Sequence, residues 1–380
     1  MKKLILFIQK IYYFIMSRLF CKNRVLFISF AGRQYSDNPK AVSDYLLKNH
    51  PKVKQLWLFE NPKEMKHLLP KGIKCAKYTK NSIVHYIATS KVLIDNDKMV
   101  YYWKLAEMPK RKDQIFIETW HGDMGFKKCF YDTTTYKAIT PFSLEKPGTF
   151  DYFVTGSEFA EPIVKSMFNY HGELLKVGCP RNDAMFKNHD EHNAKIRKQL
   201  GLSEDTKILL YAPTFRQKIP ENAERIDFDA LVEALEKTTK SKWAVVFRAH
   251  HMHADATNKK YIDGRKLFND MADILIASDM LITDYSSCAG DFAHTKKPII
   301  LYVDDYEEYE KNDRGLHFKL NNSPYWFAKN NEELIKTVKS LTDKKAEKNC
   351  EDILKFYQCY EDGSSCEKIA SLITKHFNKK

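Results

Sequence analysis

The chain has 380 residues, and its 62 basic and 49 acidic side chains leave a formal net charge of +13. This length is too great for one ordinary core and predicts two domains of roughly 150 to 200 residues each. Apolar and charged fractions of 43% and 29% exclude wholesale disorder, and the basic excess favours an anionic partner: nucleic acid, anionic lipid or a phosphorylated substrate.

The first 20 residues predict an amphipathic helix. Lys3, Lys10 and Ser17 recur at seven-residue spacing, which leaves a broad apolar face opposite them. That face carries Leu4, Phe7, Ile8, Ile11, Phe14 and Ile15. Lys10 would lie near the middle of a spanning helix, and no signal-peptide cleavage site follows. Residues 1–22 are therefore expected to lie in the interface of an anionic membrane, with a helix packed on the protein's own surface as the alternative.

Ten short apolar runs, alternating with helical segments, predict parallel strands buried on both faces. The runs are 24–30, 53–59, 91–96, 114–120 and 151–156 in the first half, and 207–214, 244–250, 273–278, 280–284 and 298–303 in the second. We predict an α/β fold in which two Rossmann-like domains, 23–190 and 191–345, face a cleft, followed by helices over 346–380. Such a cleft collects the carboxyl ends of both sheets, where ligands bind in this architecture.

Eight cysteines are scattered along the chain without any C-x-x-C pair. This spacing suggests neither a zinc ribbon nor a small disulfide scaffold. Free thiols in a reducing cytoplasm are the simpler interpretation.

His121 ends the apolar run 114–120 and is followed by Gly122. It could be a satisfied core residue, a metal ligand or a general base. Further along, Arg181 in "GCPRND" and Arg216 in "APTFR" follow sharp turns and are candidate anion contacts, although surface arginines are common.

The stretch "VVFRAHHMH" ends another strand with Arg248, His250, His251 and His253. On a strand, Arg248 and His250 share one face, and His251 and His253 share the other. A metal site needs three or four convergent ligands, and no carboxylate at fixed spacing accompanies these histidines. A cationic pair that binds phosphate oxygens, Arg248 with His250, is chemically simpler, and no metal site is assigned.

Ser286 and Ser287 follow the apolar run 280–284, at the predicted first turn of a helix. Unpaired backbone N–H groups and serine hydroxyls can bind an anion there. Serine more commonly caps a helix at this position, and capping is compatible with phosphate binding.

The order of these motifs resembles the CDP-glycerol glycerophosphotransferase family, which builds teichoic acids and related surface polymers. The motifs are H-G-x-x-x-x-K, V-T-G-S-E, G-x-P-R-N-D, Y-A-P-T-F-R, R-x-H, L-I-T-D-Y-S-S and D-R-G, over about residues 115 to 320. The resemblance implies a GT-B-like fold with an acceptor-side first domain and a CDP-donor-binding second domain. It also implies transfer of glycerol phosphate from CDP-glycerol with release of CMP.

The resemblance further implies roles for individual residues. His121 matches the histidine taken as the general base, and His250 matches one that contacts the donor diphosphate. Other positions expected to bind the donor are Arg181, Thr214, Arg216, Arg248, Asp284, Ser286, Ser287, Asp291 and Arg314. On the acceptor side the expected residues are Gly122, Asp123 and Lys127. The chain reads "HGDMGFK" where family members often have H-G-T-P-x-K, and "RAHH" where they have R-P-H-P, which leaves the acceptor and the choice of glycerol or ribitol phosphate open.

The expected partners are CDP-glycerol, a lipid-linked saccharide or polyol-phosphate acceptor, and an anionic membrane surface. We expect peripheral attachment to the cytoplasmic face of a bacterial membrane, in teichoic acid or capsule-type synthesis. No cofactor is assigned, and a requirement for a divalent cation is left open.

Three rival functions remain on the sequence alone: a nucleotide-sugar glycosyltransferase on the same scaffold, a nucleic-acid-binding protein and a membrane adaptor. Nucleic acid is not an expected partner, because the unusual residues concentrate at strand ends instead of forming a basic and aromatic surface. The length suits one catalytic module, which favours a primase, with a short capsule polymerase as the alternative.

Overall fold

The computed structural model describes residues 2–97, 111–122, 126–133, 150–187, 189–214, 225–248, 261–264, 267–268 and 270–379. Seven parallel strands form the first sheet, in the spatial order β3-β2-β1-β4-β5-β6-β7. They are β1 (Lys22–Phe27), β2 (Lys54–Phe59), β3 (Lys74–Lys77), β4 (Ser90–Asp95), β5 (Ile115–Glu118), β6 (Tyr152–Thr155) and β7 (Glu173–Lys176). The strands are added towards one edge of the sheet from β1 to β3 and towards the other edge from β4 to β7. The switch point between β1 and β4 opens a crevice of the kind in which ligands bind.

The second sheet has six parallel strands in the order β10-β9-β8-β11-β12-β13. They are β8 (Lys207–Ala212), β9 (Trp243–Phe247), β10 (Ile262–Asp263), β11 (Met280–Thr283), β12 (Ile299–Tyr302) and β13 (Phe327–Ala328). Its switch point lies between β8 and β11. Two doubly wound parallel sheets confirm the predicted α/β, GT-B-like architecture.

Thirteen helices of the described residues cover the two sheets. They are α1 (Lys2–Leu19), α2 (Asp37–Asn49), α3 (Pro62–Met65), α4 (Lys80–Thr89), α5 (Ala160–Met167), α6 (Asp190–Leu200), α7 (Phe228–Thr239), α8 (Met271–Ala277), α9 (Cys288–Ala293), α10 (Tyr306–Asn312), α11 (Asn331–Lys339), α12 (Asp343–Tyr357) and α13 (Ser365–Asn378). Polar caps begin several of them: the side chains of Thr79, Asp227 and Asn330 accept from the backbone N–H three residues on.

The strand predicted at 273–278 is wrong, because residues 273–277 belong to α8 and Ser278 is its C-cap. Asp270 caps this helix by accepting from the Ala272 N–H at 3.3 Å. All of Ile274, Leu275 and Ile276 are buried, so the run has no polar face. Periodicity cannot distinguish a fully buried short helix from a buried strand.

The two carboxyl-terminal helices pack on different halves. Ile353 and Tyr357 of α12 join the core of the second sheet. Ile369 and Ile373 of α13 join the core of the first sheet, beside α2. The chain therefore crosses back to the first half between residues 358 and 364.

Helix α1 packs against α4 through its more polar side. Tyr13 is 2% exposed and donates to Gln114 Oε1 at 3.3 Å, and Gln9 Nε2 donates to Asn81 Oδ1 at 3.1 Å. The opposite, apolar side is 45% to 63% exposed at Leu4, Phe7, Ile8, Ile11, Phe14 and Ile15. One face of α1 therefore packs on the protein's own surface, as the alternative prediction had it. The apolar face, which was predicted to meet a membrane, is exposed. No helix among the described residues is long and apolar enough to span a bilayer.

Candidate active site

The end of β5 meets the serine turn of the second sheet. A Cβ built on Gly122 would lie 4.0 Å from Ser287 Oγ. Gly122 follows β5 in the first sheet, and Ser287 lies just before α9, after β11 in the second. The "HG" and "YSS" motifs, 165 positions apart in the numbering, therefore border the same cleft.

One hydrogen bond determines which nitrogen of His121 carries the proton. Its Nδ1 lies 2.6 Å from the backbone oxygen of Asn96, the residue after β4. A carbonyl oxygen can only accept, so Nδ1 donates and the neutral imidazole keeps its lone pair on Nε2. That tautomer is the one a general base requires.

The surroundings of His121 favour the neutral imidazole. Its ring centroid lies 4.2 Å from that of Trp120 and 5.1 Å from that of Phe30. Burial lowers the pKa of His121 below its usual 6.5, against the opposing effects of Asp97 and of the bond to Asn96. A proton-free Nε2 therefore persists at neutral pH.

Strained backbone positions His121. Trp120 has φ +51°, a left-handed conformation that bulky residues rarely adopt. Glu118 Oε1 accepts from the Trp120 N–H at 2.8 Å, and Asn38 Nδ2 donates to the Trp120 carbonyl at 2.9 Å. These bonds hold a turn that sends the histidine out of the sheet, as is common at functional sites.

The sequence analysis missed Asp37 and Asn38, which begin α2. Asp37 also has a left-handed φ of +64°, and its carboxylate acts electrostatically on His121. Burial raises the pKa of Asp37, and Arg181 opposes the rise. The only signal in the sequence is the polar turn "SDNP" shortly after a buried strand, a pattern common in ordinary helix caps.

Arg181 is buried between two carboxylates instead of facing open solvent. It lies in a 3₁₀ segment, Pro180–Phe186, and its side chain is 6% exposed. Its Nη2 donates to Asp291 Oδ2 at 3.1 Å, and its Nη1 donates to Asp37 Oδ1 at 3.3 Å. The guanidinium thus joins α2 of the first half to α9 of the second. Arg181 and Asp291 contact each other, and the donor contacts expected of both stay predictions.

Asp284 organises the strand ends of the second sheet. Its carboxylate accepts from the Thr214 N–H at 2.9 Å, from the Thr214 hydroxyl and from the Tyr285 N–H at 2.6 Å. Arg225 Nη1 lies 3.8 Å from the same carboxylate. Asp284 and Thr214, both predicted donor contacts, therefore form one bonded unit beside the cleft.

The two serines directly precede α9, one turn position earlier than the first helical turn predicted for them. Ser287 is the residue preceding the helix, and Ser286 Oγ lies 3.4 Å from the Cys288 N–H. Helix α9 has only six residues, so its dipole is small, and the hydroxyls themselves are the main polar groups.

Arg248 has backbone partners in this structure. Its Nη1 donates to the carbonyl of Phe268 and lies 3.5 Å from that of Gly264. Burial lowers the pKa of Arg248, and Asp270 opposes this effect. The guanidinium therefore lies against the backbone that follows β10, and its predicted phosphate contact stays a prediction.

The "DRG" motif pairs with the segment that follows His121. Lys127 and Leu316 form an antiparallel bridge, and the Lys128 N–H donates to the Gly315 carbonyl at 3.1 Å. Arg314 Nη1 lies 3.6 Å from Cys129 Sγ. Predicted acceptor-side and donor-side residues, Lys127 and Arg314, are thus held on adjacent chain segments.

Three predicted site residues, Asp123, Arg216 and His250, lie outside the described residues. The same holds for His251 and His253, so the structure does not test the metal alternative for that histidine cluster.

Comparison with protein families gives a match over nearly the whole chain. The model of the family described as "CDP-Glycerol:Poly(glycerophosphate) glycerophosphotransferase" matches residues 11–375. The teichoic acid poly(glycerol phosphate) polymerase of Bacillus spizizenii is 29% identical, over 91% of this chain and 90% of that protein. The teichoic acid ribitol-phosphate primase of the same organism is 28% identical, over 93% and 91%.

Among solved structures, the wall teichoic acid polymerase TagF superposes with a TM-score of 0.82 at 24% identity. The match covers 98% of this chain and 95% of that one. At this identity the likeness establishes the fold.

Proposed function

The chain belongs to the CDP-glycerol:poly(glycerophosphate) glycerophosphotransferase family, and we propose that it transfers glycerol phosphate from CDP-glycerol to an acceptor hydroxyl, releasing CMP. The polymer would be a teichoic acid or a related capsule-type polyol phosphate. One observation carries the proposal. His121 has the tautomer that a general base requires, and the next residue, Gly122, lies beside Ser287, which follows β11 of the facing sheet.

In the proposed reaction the acceptor oxygen attacks the β-phosphorus of CDP-glycerol. A new P–O bond forms to the acceptor, and the bond from the β-phosphorus to the bridging oxygen breaks, so that CMP leaves with that oxygen. The acceptor proton moves to Nε2 of His121. Positioned bases of this kind typically contribute about 10²- to 10⁴-fold to the rate.

The second sheet is proposed to hold the diphosphate. Ser286 and Ser287 supply hydroxyl donors beside the reacting phosphorus, and His250 and Arg314 supply positive charge to the phosphoryl oxygens. Preorganised donors aimed at developing charge give the largest gains in phosphoryl transfer. Arg181, Asp284 and Asp291 hold the strand ends in place, and Arg248 reaches the donor only if it leaves its backbone partners.

We also infer that the protein works at a membrane surface, because a lipid-linked acceptor resides there. The exposed apolar face of α1 supports this inference, since helices of this kind bury such a face at the interface. In this scheme the protein attaches peripherally to the cytoplasmic side of the bacterial membrane, and α1 holds the cleft beside its acceptor.

A ribitol donor is the second candidate, because a ribitol-phosphate primase matches the chain almost as well as the glycerol phosphate polymerase does. The test incubates the full chain with a lipid-linked saccharide acceptor and either CDP-glycerol or CDP-ribitol, each labelled at the β-phosphate. We expect label in the lipid product and unlabelled CMP with CDP-glycerol.

Transfer from CDP-ribitol alone would reverse the donor assignment. No label in the lipid product with either donor, together with sugar transfer when a nucleotide sugar replaces them, would instead identify a nucleotide-sugar glycosyltransferase, the rival that the fold alone permits.

A further inference from the structure

A half-buried cluster beyond the carboxyl end of α9 brings together three potential metal ligands. His294 follows α9, whereas Cys359 and Glu361 lie in the segment that crosses from α12 to α13. One ligand atom from each, an imidazole nitrogen, a thiol sulfur and a carboxylate oxygen, lies within 4.8 Å of the others.

The histidine of this cluster is buried with an unused nitrogen. The side chain of His294 is 3% exposed, and that of Glu361 is 0% exposed. His294 Nε2 makes no hydrogen bond and lies 3.9 Å from Glu361 Oε2. Buried polar atoms are nearly always paired, so an orphan of this kind calls for a missing partner such as an ion.

Neighbouring groups fix the carboxylate in place. The other oxygen of Glu361, Oε1, lies 3.3 Å from the Cys179 N–H and 3.4 Å from Asn182 Nδ2. Asn182 Oδ1 is a second buried atom without a hydrogen-bond partner. The cluster thus has an oriented carboxylate and two unsatisfied polar atoms around it.

We propose that His294, Cys359 and Glu361 bind a zinc ion. Imidazole, thiolate and carboxylate are the three ligand types that Zn²⁺ prefers in proteins, whereas Mg²⁺ and Ca²⁺ prefer oxygen alone. Zinc bonds of about 2.1 to 2.3 Å place tetrahedral ligands about 3.5 Å apart, so the cluster contracts by about 1 Å on binding. The Cys359 thiol releases its proton to solvent as the metal–sulfur bond forms.

The position of the cluster assigns the zinc a structural role. The crossing segment is bonded to the first half, because the Tyr360 N–H donates to the Gly156 carbonyl at 2.8 Å and Cys359 pairs with Ser157. His294 belongs to the second half. An ion bound here would tie the halves together at the carboxyl end of α9, whereas the serine turn lies at its amino end.

The test measures zinc in the untagged full chain, purified without chelator, by plasma mass spectrometry. We expect about one zinc per chain, and a melting temperature at least about 2 °C higher with excess zinc than after EDTA treatment. Replacement with Co²⁺ should give a visible thiolate-to-cobalt absorption band, which Cys359→Ser abolishes.

Matched variants identify the ligands. His294→Gln and Cys359→Ser should lose zinc, whereas Cys75→Ser, another partly exposed cysteine, and His67→Gln, an exposed histidine, should retain it. Any of three results would overturn the proposal. These are retention of zinc by folded His294→Gln, loss of zinc in His251→Gln/His253→Gln, and a metal-free protein whose melting temperature does not change when zinc is added. None of these measurements uses the transfer reaction, so their outcome does not depend on whether the proposed function is correct.

Discussion

At the scale of single residues, the account depends on the bond between His121 Nδ1 and the Asn96 carbonyl. The sequence showed a histidine at a strand end and left three roles open. It could not choose among them, because the choice depends on β4, 25 residues earlier in the chain, which supplies the carbonyl. The position of the Phe30 and Trp120 rings beside His121 likewise depends on the fold.

Replacing His121 with alanine should lower kcat by about 10²- to 10⁴-fold, because the acceptor hydroxyl loses its base. Circular dichroism and the melting temperature check that the variant folds, and His67→Ala serves as the exposed control. Near-normal turnover in a folded His121→Ala variant would reduce His121 to a structural residue.

The pH dependence follows from the direction of the His121 shift. Because burial lowers its pKa, Nε2 stays unprotonated to a lower pH than in an ordinary histidine, and protonation abolishes the base. We therefore expect kcat/KM to remain flat as the pH falls to 6.5 and to decline only below that value. An acid limb centred above pH 7 would be incompatible with this environment.

The partners of an arginine cannot be predicted from the sequence pattern around it. Arg181 was predicted to bind the anionic donor, and that contact stays a prediction; in the structure its guanidinium pairs with Asp37 and Asp291. A sequence cannot say whether the partner of an arginine is a ligand or a carboxylate from another helix. Asp37 and Asn38 were missed for the same reason: their importance comes from what they touch.

At the scale of elements, strong apolar runs gave the central strands, and the edge strands were missed. β3 and β7 each have four residues with exposed ends, so neither carries the apolar signal of a buried strand. The packing of α13 against the first sheet was not predicted either. The amphipathic pattern of a helix shows which face is buried but not which of two cores buries it.

The contact between α2, the 3₁₀ segment and α9 should contribute strongly to stability. Arg181→Ala leaves Asp37 and Asp291 buried without their cation, which typically costs about 3 to 5 kcal/mol. Lys296→Ala breaks an exposed pair with Glu347 and should cost less than about 1 kcal/mol. Urea denaturation compares the two variants, and similar losses would mean that the buried bonds add little.

Helix α1 allows membrane attachment to be tested without unfolding the protein. Deleting the helix would also remove Tyr13, which is buried, so substitutions on the outer face are cleaner. Phe7→Ser/Phe14→Ser should weaken binding to anionic vesicles at least about tenfold, because two exposed apolar side chains are lost.

Leu267→Ser, which changes an exposed apolar residue elsewhere, is the control and should leave vesicle binding unchanged. Sedimentation with vesicles measures both variants. Equal binding by the Phe7→Ser/Phe14→Ser variant and the unaltered protein would remove α1 from the attachment.

At the scale of the whole molecule, the sequence predicted two facing parallel-sheet halves correctly, since composition, strand spacing and motif order all agreed. The division at residue 190 stays a prediction. The pairing of Lys127 with Leu316 and the Arg181 contacts show that the two halves share both backbone and side-chain bonds.

We propose that the imidazole of His121 in the first half reaches a diphosphate held by the second half. A crystal structure of the full chain with CDP-glycerol bound measures it directly, as the distance from His121 Nε2 to the β-phosphorus. We predict at most about 6 Å, since an acceptor oxygen must lie within about 3 Å of each atom. A diphosphate seated away from Ser287, with His121 facing a separate region and no closure of the halves that joins them, would contradict the account.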